Sequence, residues 1–278
     1  MANGELSMFE GIIFCTDLDG TLLRNNGTIS PENMEAIEYF KKNGGVFTFV
    51  TGRMPFFVSD FCNIIKPNAP FGCINGGGLY DYIHQEYLWK CALDKNVVNL
   101  IKCIEEQLPN VGIQVNTFDK TYFCRDNLTM IDFRRRTGLP NTSCDYKKMC
   151  EPMSKIVFGT EDETEICKIQ EILLSHPLAN EFDFIRSEKA LYEILPKGSG
   201  KGNVIRKFPH YWNGEVRTFI AIGDYDNDVS MLTEADIGIA VSNASSKAKE
   251  AADYITVSNE EDAIAKIIYS LENEMLGK

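Results

Sequence analysis

The sequence is short of basic residues and contains no long apolar run. Its 28 lysines and arginines are outnumbered by 40 aspartates and glutamates, which gives a formal charge of −12. This charge repels nucleic acids and anionic membrane surfaces at long range, so we expect neither as a partner. No apolar stretch approaches the roughly 20 residues that span a bilayer, and residues 1–10 are too polar for a signal peptide. The sequence therefore predicts a soluble, cytoplasmic protein.

Paired cysteines and grouped histidines are also missing. The nine cysteines are odd in number, scattered, and include no C-x-x-C pair. This distribution is typical of reduced thiols and argues against a disulfide framework. His84, His176 and His210 share no metal-ligand spacing, so we assign them structural or surface roles. A chain of 278 residues can bury a core without disulfides or a structural metal.

The N-terminal third alternates between apolar strands and helical patterns. Residues 12–16 form an apolar run that ends abruptly at Asp17, and 46–50 form a second one. Ser30-Pro31-Glu32 combines a helix-capping residue with proline at the first helical position, which predicts a helix over 31–43. A further helix is predicted over 55–65. This β-α-β-α order is typical of a parallel sheet covered by helices.

The pattern changes after about residue 72. Residues 79–89 alternate imperfectly and suggest antiparallel pairing, and the segment 86–193 mixes predicted helices with short strands. The βα order resumes with predicted strands at 218–222 and within 235–241. We therefore predict an α/β fold with a Rossmann-like, doubly wound parallel sheet as its core, formed by residues 1–85 and 194–278. An α+β domain is inserted at 86–193.

Four separate motifs stand at the predicted C-terminal ends of strands or at helix starts, where open α/β sheets bind ligands. Taken singly, each has an ordinary explanation as a loop, a turn, a solvated lysine or a helix cap. The motifs are Asp17-Leu18-Asp19-Gly20-Thr21, Thr51-Gly52-Arg53, Gly200-Lys201-Gly202 and Gly223-Asp224-Tyr225-Asp226-Asn227-Asp228.

Together the four motifs supply the groups that phosphoryl transfer through an aspartyl-phosphate needs. A carboxylate nucleophile needs a cation to offset its repulsion from phosphate, and clustered Asp oxygens suit Mg²⁺. Asp17, Asp19 and Asp224 can provide that cluster. Asp19 can also serve as acid and then base for the leaving oxygen and the attacking water. Thr51 and Lys201 offer donors for the charge on the phosphoryl oxygens.

These motifs resemble those of the haloacid dehalogenase superfamily of phosphatases, and more narrowly its Cof-like branch, which carries an inserted α+β cap of the C2 type. The resemblance covers nearly the whole chain. It extends to Asn75-Gly76-Gly77 before the insertion, to Glu193-Ile194 leading into residues 197–202, and to residues 238–244. Gly77-Gly78 and Ser242 depart from the usual pattern, but neither departure removes a catalytic group.

The resemblance implies a role for each site residue. Asp17 would be the nucleophile and a Mg²⁺ ligand, Asp19 the acid/base that lends its backbone carbonyl to the metal, and Asp224 the third protein ligand. Asp228 would complete the shell around Lys201 and the metal's waters. Catalysis would involve Asp17, Asp19, Thr51 and Lys201, and the phosphate would be bound by Asp17, Leu18, Asp19, Thr51, Gly52, Lys201 and Asn227.

Some alternatives stay open at this point. Arg53 could reach the substrate or pair with an acidic neighbour, and Arg134-Arg135-Arg136 could be a solvated helix face or a contact for an anionic substrate. The expected activity is hydrolysis of a small phosphorylated metabolite, such as a sugar phosphate. A phosphomutase and a catalytically silent metabolite-binding regulator are the alternatives.

Overall fold

The computed structural model describes residues 7–276, with side chains described up to residue 273. Most of the polar segment weighed above as a signal peptide, residues 1–6, therefore lies outside the described residues. The strands are β1 (Ile12–Thr16), β2 (Val46–Phe49), β3 (Phe71–Cys73), β4 (Gly78–Asp81), β5 (Glu86–Lys90), β6 (Gly112–Asn116), β7 (Thr121–Arg125), β8 (Lys155–Gly159), β9 (Phe182–Glu188), β10 (Leu191–Pro196), β11 (Thr218–Gly223), β12 (Ile237–Ala240) and β13 (Tyr254–Ile255). The helices are α1 (Pro31–Lys42), α2 (Ser59–Ile65), α3 (Val97–Gln107), α4 (Leu128–Thr137), α5 (Glu163–Ser175), α6 (Gly202–Lys207), α7 (Val229–Glu234), α8 (Ser246–Ala251) and α9 (Ala263–Leu276).

The core is a five-stranded parallel sheet in the order β13-β12-β11-β1-β2. Every residue of β1 and β2 is buried, as expected for strands of a parallel sheet covered on both faces. Helix α1 packs beside α9, and its buried face is formed by Ala36, Ile37 and Phe40. This arrangement confirms the predicted α/β class and brings the carboxyl ends of the strands to one edge.

The start of α1 follows the capping chemistry expected from the sequence. The side chain of Ser30 accepts a hydrogen bond from the backbone N–H of Asn33, and Pro31 occupies the first helical position. The predicted helix over 55–65 is divided, because a 3-10 turn at Pro55–Phe57 precedes α2. Helix α2 therefore begins only at Ser59.

A second, smaller sheet connects the core to the insertion. Strands β3, β4 and β5 are antiparallel to one another, and a bridge between Val50 and Gly72 joins this sheet to the end of β2. Tyr87, Leu88 and Trp89 of β5 pack against the core cluster. At the other end, β10 pairs with β9 as far as Pro196. We therefore propose that the inserted domain runs from about residue 91 to 196, a few residues later than the predicted 86–193.

The inserted domain, called the cap from here on, is an antiparallel sheet in the order β7-β6-β8-β10-β9. One face packs against α3 and α5, where Ile156 and Phe158 of β8 meet Leu100 and Ile169. The other face carries Val157, which packs with residues of α4 and the segment after it. The alternation along β8 thus separates the face covered by α3 and α5 from the face that packs with α4 and is turned toward the core.

Three elements of the cap were not predicted from the sequence: β7, β9 and α4. Both strands lie at edges of the cap sheet, and β9 has only one fully buried residue, Phe182, so its alternation is weak. Helix α4 buries only Thr129 and Met130 and carries three consecutive arginines, so it lacks an apolar stripe. Among the described helices, none is both long and apolar enough to cross a membrane.

Candidate active site

A buried lysine holds two carboxylates at the centre of the site. Asp17 directly follows β1, and its backbone N–H donates to the carbonyl of Ile222 on β11 (2.8 Å). The Lys201 Nζ donates to Asp17 Oδ1 and to Asp228 Oδ1, each at 2.5 Å. Burial opposes the charge of Lys201, whose side chain is only 1% exposed, but the two carboxylates raise its pKa above the usual value. The lysine is therefore held as a cation.

Three aspartates crowd together beside this lysine. One carboxylate oxygen from each of Asp17, Asp224 and Asp228 lies within 4.8 Å of the others. Burial, together with repulsion between the carboxylates, raises the pKa of Asp17 well above its ordinary value and that of Asp224 to about 7. One lysine does not balance three crowded carboxylates, two of them buried, and carboxylate oxygens are what Mg²⁺ prefers. The donor set therefore fits a divalent cation.

Asp228 already has partners for both of its oxygens. Besides Lys201 at Oδ1, it accepts hydrogen bonds at Oδ2 from the backbone N–H groups of Asp224 (2.9 Å) and Tyr225 (3.0 Å). These bonds tie together the turn that follows β11. Asp228 thus orients Lys201 and Asp224, and its place behind the metal ligands stays a prediction.

The position of Asp224 depends on the first motif. The Thr21 hydroxyl donates to Asp224 Oδ1 (3.0 Å). Gly20 has a φ of +80°, and a Cβ at this position would lie 2.5 Å from Asp224 Oδ2. Only glycine satisfies both conditions without displacing the carboxylate. The Asp-x-Asp-Gly-Thr sequence therefore places Asp17 and also shapes the pocket around Asp224.

Arg53 pairs with an acidic neighbour, Asp19, and it also lines the cavity described below. Its Nε donates to Asp19 Oδ2 (2.8 Å) and its second terminal nitrogen to Asp19 Oδ1 (2.6 Å). The Asp19 side chain is 58% exposed and faces the cavity described below. The bidentate pair fixes the orientation of the Asp19 carboxyl group.

Thr51 and Gly52 lie on the loop that follows β2, at the same edge of the core sheet as Asp17. Thr51 is buried, and its hydroxyl accepts a hydrogen bond from the Arg53 backbone N–H (3.2 Å). Its carbonyl accepts a bond from the backbone N–H of Asn75 (3.1 Å). A Cβ on Gly52 would lie 2.9 Å from Asn75 Oδ1, so the loop can pass this side chain only with glycine.

A chain of buried polar side chains connects this loop to the cap, and the sequence assigned no role to most of its members. Asn227 Nδ2 donates to Asn75 Oδ1 (3.0 Å), and Asn75 Nδ2 donates to Glu193 Oε2 (2.9 Å). Lys155 Nζ donates to both oxygens of Glu193 (3.0 and 3.1 Å) and to the carbonyl of Gly52 (3.1 Å). This group, the cap–core network, joins Asn227, a predicted phosphate ligand, to the cap strands β8 and β10.

The backbone at Asn75 is itself unusual. Ile74 and Asn75 have φ values of 55° and 50°, in the left-handed region that a β-branched residue rarely adopts. Such conformations cost about 1–3 kcal/mol and persist only where the surroundings impose them. The motif Asn75-Gly76-Gly77, which carried part of the resemblance, was the available signal for this site.

A cavity of about 440 Å³ lies between the core edge and the cap. Of the three consecutive arginines, Arg136 lines it and pairs with Asp132 and Glu188, while Arg134 and Arg135 pair with Asp126 and Asp132. None of the three histidines lines the cavity. The lining residues are Asp17, Asp19, Thr51, Gly52, Arg53, Met54, Phe57, Gln114, Asn116, Phe133, Arg136, Thr137, Leu139, Lys155, Val157, Ser187, Glu188, Lys189, Leu191, Glu193, Asp224, Tyr225 and Asn227.

Comparison with known proteins points to one family. A sequence model described as haloacid dehalogenase-like hydrolase matches residues 14–268. The 5-amino-6-(5-phospho-D-ribitylamino)uracil phosphatase YitU of Bacillus subtilis is 26% identical over 262 residues, covering 92% of this chain and 96% of the relative. The pyridoxal phosphate phosphatase YbhA of Escherichia coli is 26% identical over 282 residues, covering 93% and 97%. A haloacid dehalogenase-like hydrolase from Bacteroides thetaiotaomicron shares the fold, with a TM-score of 0.79, 23% identity, and coverage of 95% and 99%.

Proposed function

Because the chain belongs to the haloacid dehalogenase-like hydrolase family, we propose that it hydrolyses a small phosphorylated metabolite through an aspartyl-phosphate formed on Asp17. The chain is a phosphatase of the Cof-like branch, and the aspartyl-phosphate on Asp17 is the proposed part of its mechanism. The observation that carries the proposal is the buried contact of Lys201 with Asp17 and Asp228, because Asp17 also lines the cavity. This contact supports the assignment of Asp17 as the nucleophile and of Lys201 as a cationic ligand for the phosphate.

The reaction would proceed in two displacements at phosphorus. A carboxylate oxygen of Asp17 forms a bond to phosphorus while the bond to the leaving oxygen breaks, and Asp19 gives that oxygen a proton. Asp19 then takes a proton from water, whose oxygen attacks phosphorus, and the phosphate leaves with the Asp17 carboxylate restored. Since Asp19 is paired with Arg53, its carboxyl group must exchange this partner for the leaving oxygen.

The phosphoryl oxygens would be held by fixed donors. The Lys201 ammonium and the Thr51 hydroxyl lie at the site together with the Asn227 amide, while Leu18, Asp19 and Gly52 would offer backbone N–H groups. We propose Mg²⁺ as the cofactor, with Asp17, Asp224 and the Asp19 carbonyl as ligands. When bound, Mg²⁺ offsets the repulsion between the Asp17 carboxylate and the phosphate dianion.

The substrate would be a small phosphate monoester whose organic part lies beneath the cap. The cavity volume suits a metabolite of ordinary size, and the names of two relatives specify phosphorylated small molecules, pyridoxal phosphate and a phosphoribitylaminouracil. Sugar phosphates belong to the same size range. The net charge of −12 argues against a polyanionic nucleic acid substrate.

Phosphate release from p-nitrophenyl phosphate and from a panel of phosphorylated metabolites tests this function. We expect release that requires Mg²⁺, stops in excess EDTA and returns when Mg²⁺ is restored. The Asp17→Asn variant should lose at least about 10³-fold in kcat because an amide is a poor nucleophile. Full activity in EDTA or in this variant would refute the mechanism, and phosphoryl transfer to a second hydroxyl without phosphate release would identify a mutase instead.

A further inference from the structure

Two buried polar atoms on the cap are without partners, and both belong to residues that line the cavity. Gln114 and Asn116 are 3% and 1% exposed. Within the described part of the chain, Gln114 Oε1 and Asn116 Nδ2 make no hydrogen bond. Buried polar groups in native proteins are nearly always paired with protein, water or ligand. An unpaired acceptor and an unpaired donor, two residues apart, therefore need a polar partner.

The strand pattern explains why these two side chains point to the cavity. On β6, Ile113 and Val115 pack into the helix-covered core of the cap, so the alternate residues face the other way. Gln114 lies opposite Val157 of β8, and Asn116 lies opposite Lys155. Gln114 and Asn116 thus lie beside the cap–core network, on the face of the cap sheet that covers the catalytic edge, which is the edge of the core sheet that carries Asp17.

Gln114 and Asn116 bond to each other and to Thr121, and these bonds leave one amide oxygen and one amide nitrogen without a partner. Gln114 Nε2 donates to Asn116 Oδ1 (3.1 Å), and the Thr121 hydroxyl donates to the same oxygen (2.7 Å). Rotating both amides by 180° would exchange the bonded atoms, with the Thr121 hydroxyl accepting instead. That arrangement again leaves one amide NH₂ group and one amide oxygen without a partner.

Apolar side chains form one part of the cavity face of the cap, and the rest of that face carries Arg136, Thr137, Lys155, Ser187, Glu188, Lys189 and Glu193. Val157 and Leu191 come from the sheet, Phe133 and Leu139 from α4 and the segment after it, and Phe57 faces them from the core. Against these aromatic and aliphatic side chains a flat ring packs better than a polyol, because sugar hydroxyls buried there would lose hydrogen bonds to water. The free donor and acceptor then select the ring's polar edge.

We propose that Gln114 and Asn116 form a subsite for a heterocycle that carries a neighbouring N–H and C=O, the amide edge found in pyrimidinediones and flavins. Gln114 Oε1 accepts from the ring N–H, and Asn116 Nδ2 donates to the ring carbonyl. The inference rests on the proposed function, because the heterocycle must be part of a phosphate monoester. It narrows the substrate from any small phosphate ester to one with a flat, amide-bearing ring.

A set of esters with and without this edge tests the subsite. Uridine 5′-phosphate and flavin mononucleotide carry the edge, N3-methyluridine 5′-phosphate has its N–H blocked, and ribose 5-phosphate has no ring base. We expect at least one of the first two to exceed ribose 5-phosphate about tenfold or more in kcat/KM, since a site built to hydrogen-bond a group rejects analogues lacking it. If ribose 5-phosphate matches or exceeds both, the inference is wrong.

Two variants remove one free group each. Asn116→Asp keeps the oxygen that Gln114 and Thr121 use and replaces the free amino group. Gln114→Met has a similar size and removes the free oxygen together with the Nε2 group that donates to Asn116. Matched controls are Asn99→Asp and Gln170→Met, which change exposed side chains on α3 and α5 of the same cap. We expect the cavity variants to lose about 10–100-fold in kcat/KM on the preferred amide-edge ester and little on p-nitrophenyl phosphate.

The outcomes separate the subsite from the proposed function. Equal losses on all substrates, or losses no larger than those of the controls, would overturn the subsite while leaving the phosphatase intact. Dissociation constants for the same esters, measured with the Asp17→Asn variant, test recognition without turnover. If the wild type releases no phosphate from any ester, the proposed mechanism fails, and these constants still decide whether the amide edge is recognised.

Discussion

The cap–core network makes a quantitative prediction about how the cap is held over the site. Glu193 is 2% exposed and accepts hydrogen bonds from Lys155, from Asn75 and from the Ser187 hydroxyl (2.7 Å). The Glu193→Gln variant keeps the shape but leaves the Lys155 ammonium buried without a countercharge. Breaking a buried pair in this way costs about 3–5 kcal/mol. For a chain of this length, each kcal/mol lowers Tm by about 2–4 °C, so we expect a loss of about 6–20 °C.

The reciprocal variant and the double variant complete a thermodynamic cycle. Lys155→Met leaves Glu193 as an unpaired buried carboxylate, and we expect a similar loss of unfolding free energy. In Glu193→Gln/Lys155→Met no charge is stranded, so the double variant should be more stable than the sum of the single losses predicts by about 1–3 kcal/mol. Chemical denaturation with two-state fits for each variant measures this coupling.

Activity in the double variant distinguishes positioning from stability. Lys155 Nζ contacts the carbonyl of Gly52, so its loss should loosen the Thr51 loop even when the fold is stable. We expect kcat/KM for p-nitrophenyl phosphate to fall about tenfold or more. The control is Glu163→Gln, which breaks the largely exposed pair with Arg186 and should cost less than about 1 kcal/mol. The reasoning is wrong if Glu193→Gln and Lys155→Met each lose less than about 1 kcal/mol, like the control, and these losses simply add in the double variant.

Three further predictions concern the catalytic edge. Asp19→Asn should block the proton transfers, so that mass spectrometry detects phosphate retained on Asp17; rapid turnover by this variant would contradict the assignment of Asp19. Arg53→Lys replaces a bidentate partner of Asp19 with a point charge and should lower kcat about tenfold, as steady-state kinetics will measure, whereas an unchanged kcat would mean that the pair has no part in the reaction. Gly20→Ala forces a Cβ toward Asp224 and should raise the Mg²⁺ concentration needed for half-maximal activity about tenfold or more; an unchanged Mg²⁺ titration would remove Asp224 from the metal site.

Local patterns in the sequence were sufficient to predict many of the strands and helices of the core. The apolar run of β1 ending at Asp17, and the capped start of α1 at Ser30-Pro31, are signals carried by consecutive residues. The fold class follows from the order of such segments, because helices between strands require parallel pairing. The motifs that contain Asp17, Thr51, Lys201 and Asp224 could be recognised because each stands directly after a strand or before a helix.

The tertiary structure decided the contacts between distant segments. Asn75 and Glu193 are 118 residues apart, and Lys155 and Gly52 are 103 apart, so no local pattern pairs them. The partner of Arg53 was open for the same reason. Nothing in the sequence singled out Gln114, because a sequence shows that a side chain is polar but not whether its hydrogen-bonding groups have partners. A hydrogen-bond deficit exists only once burial is known, and burial is a property of the folded chain.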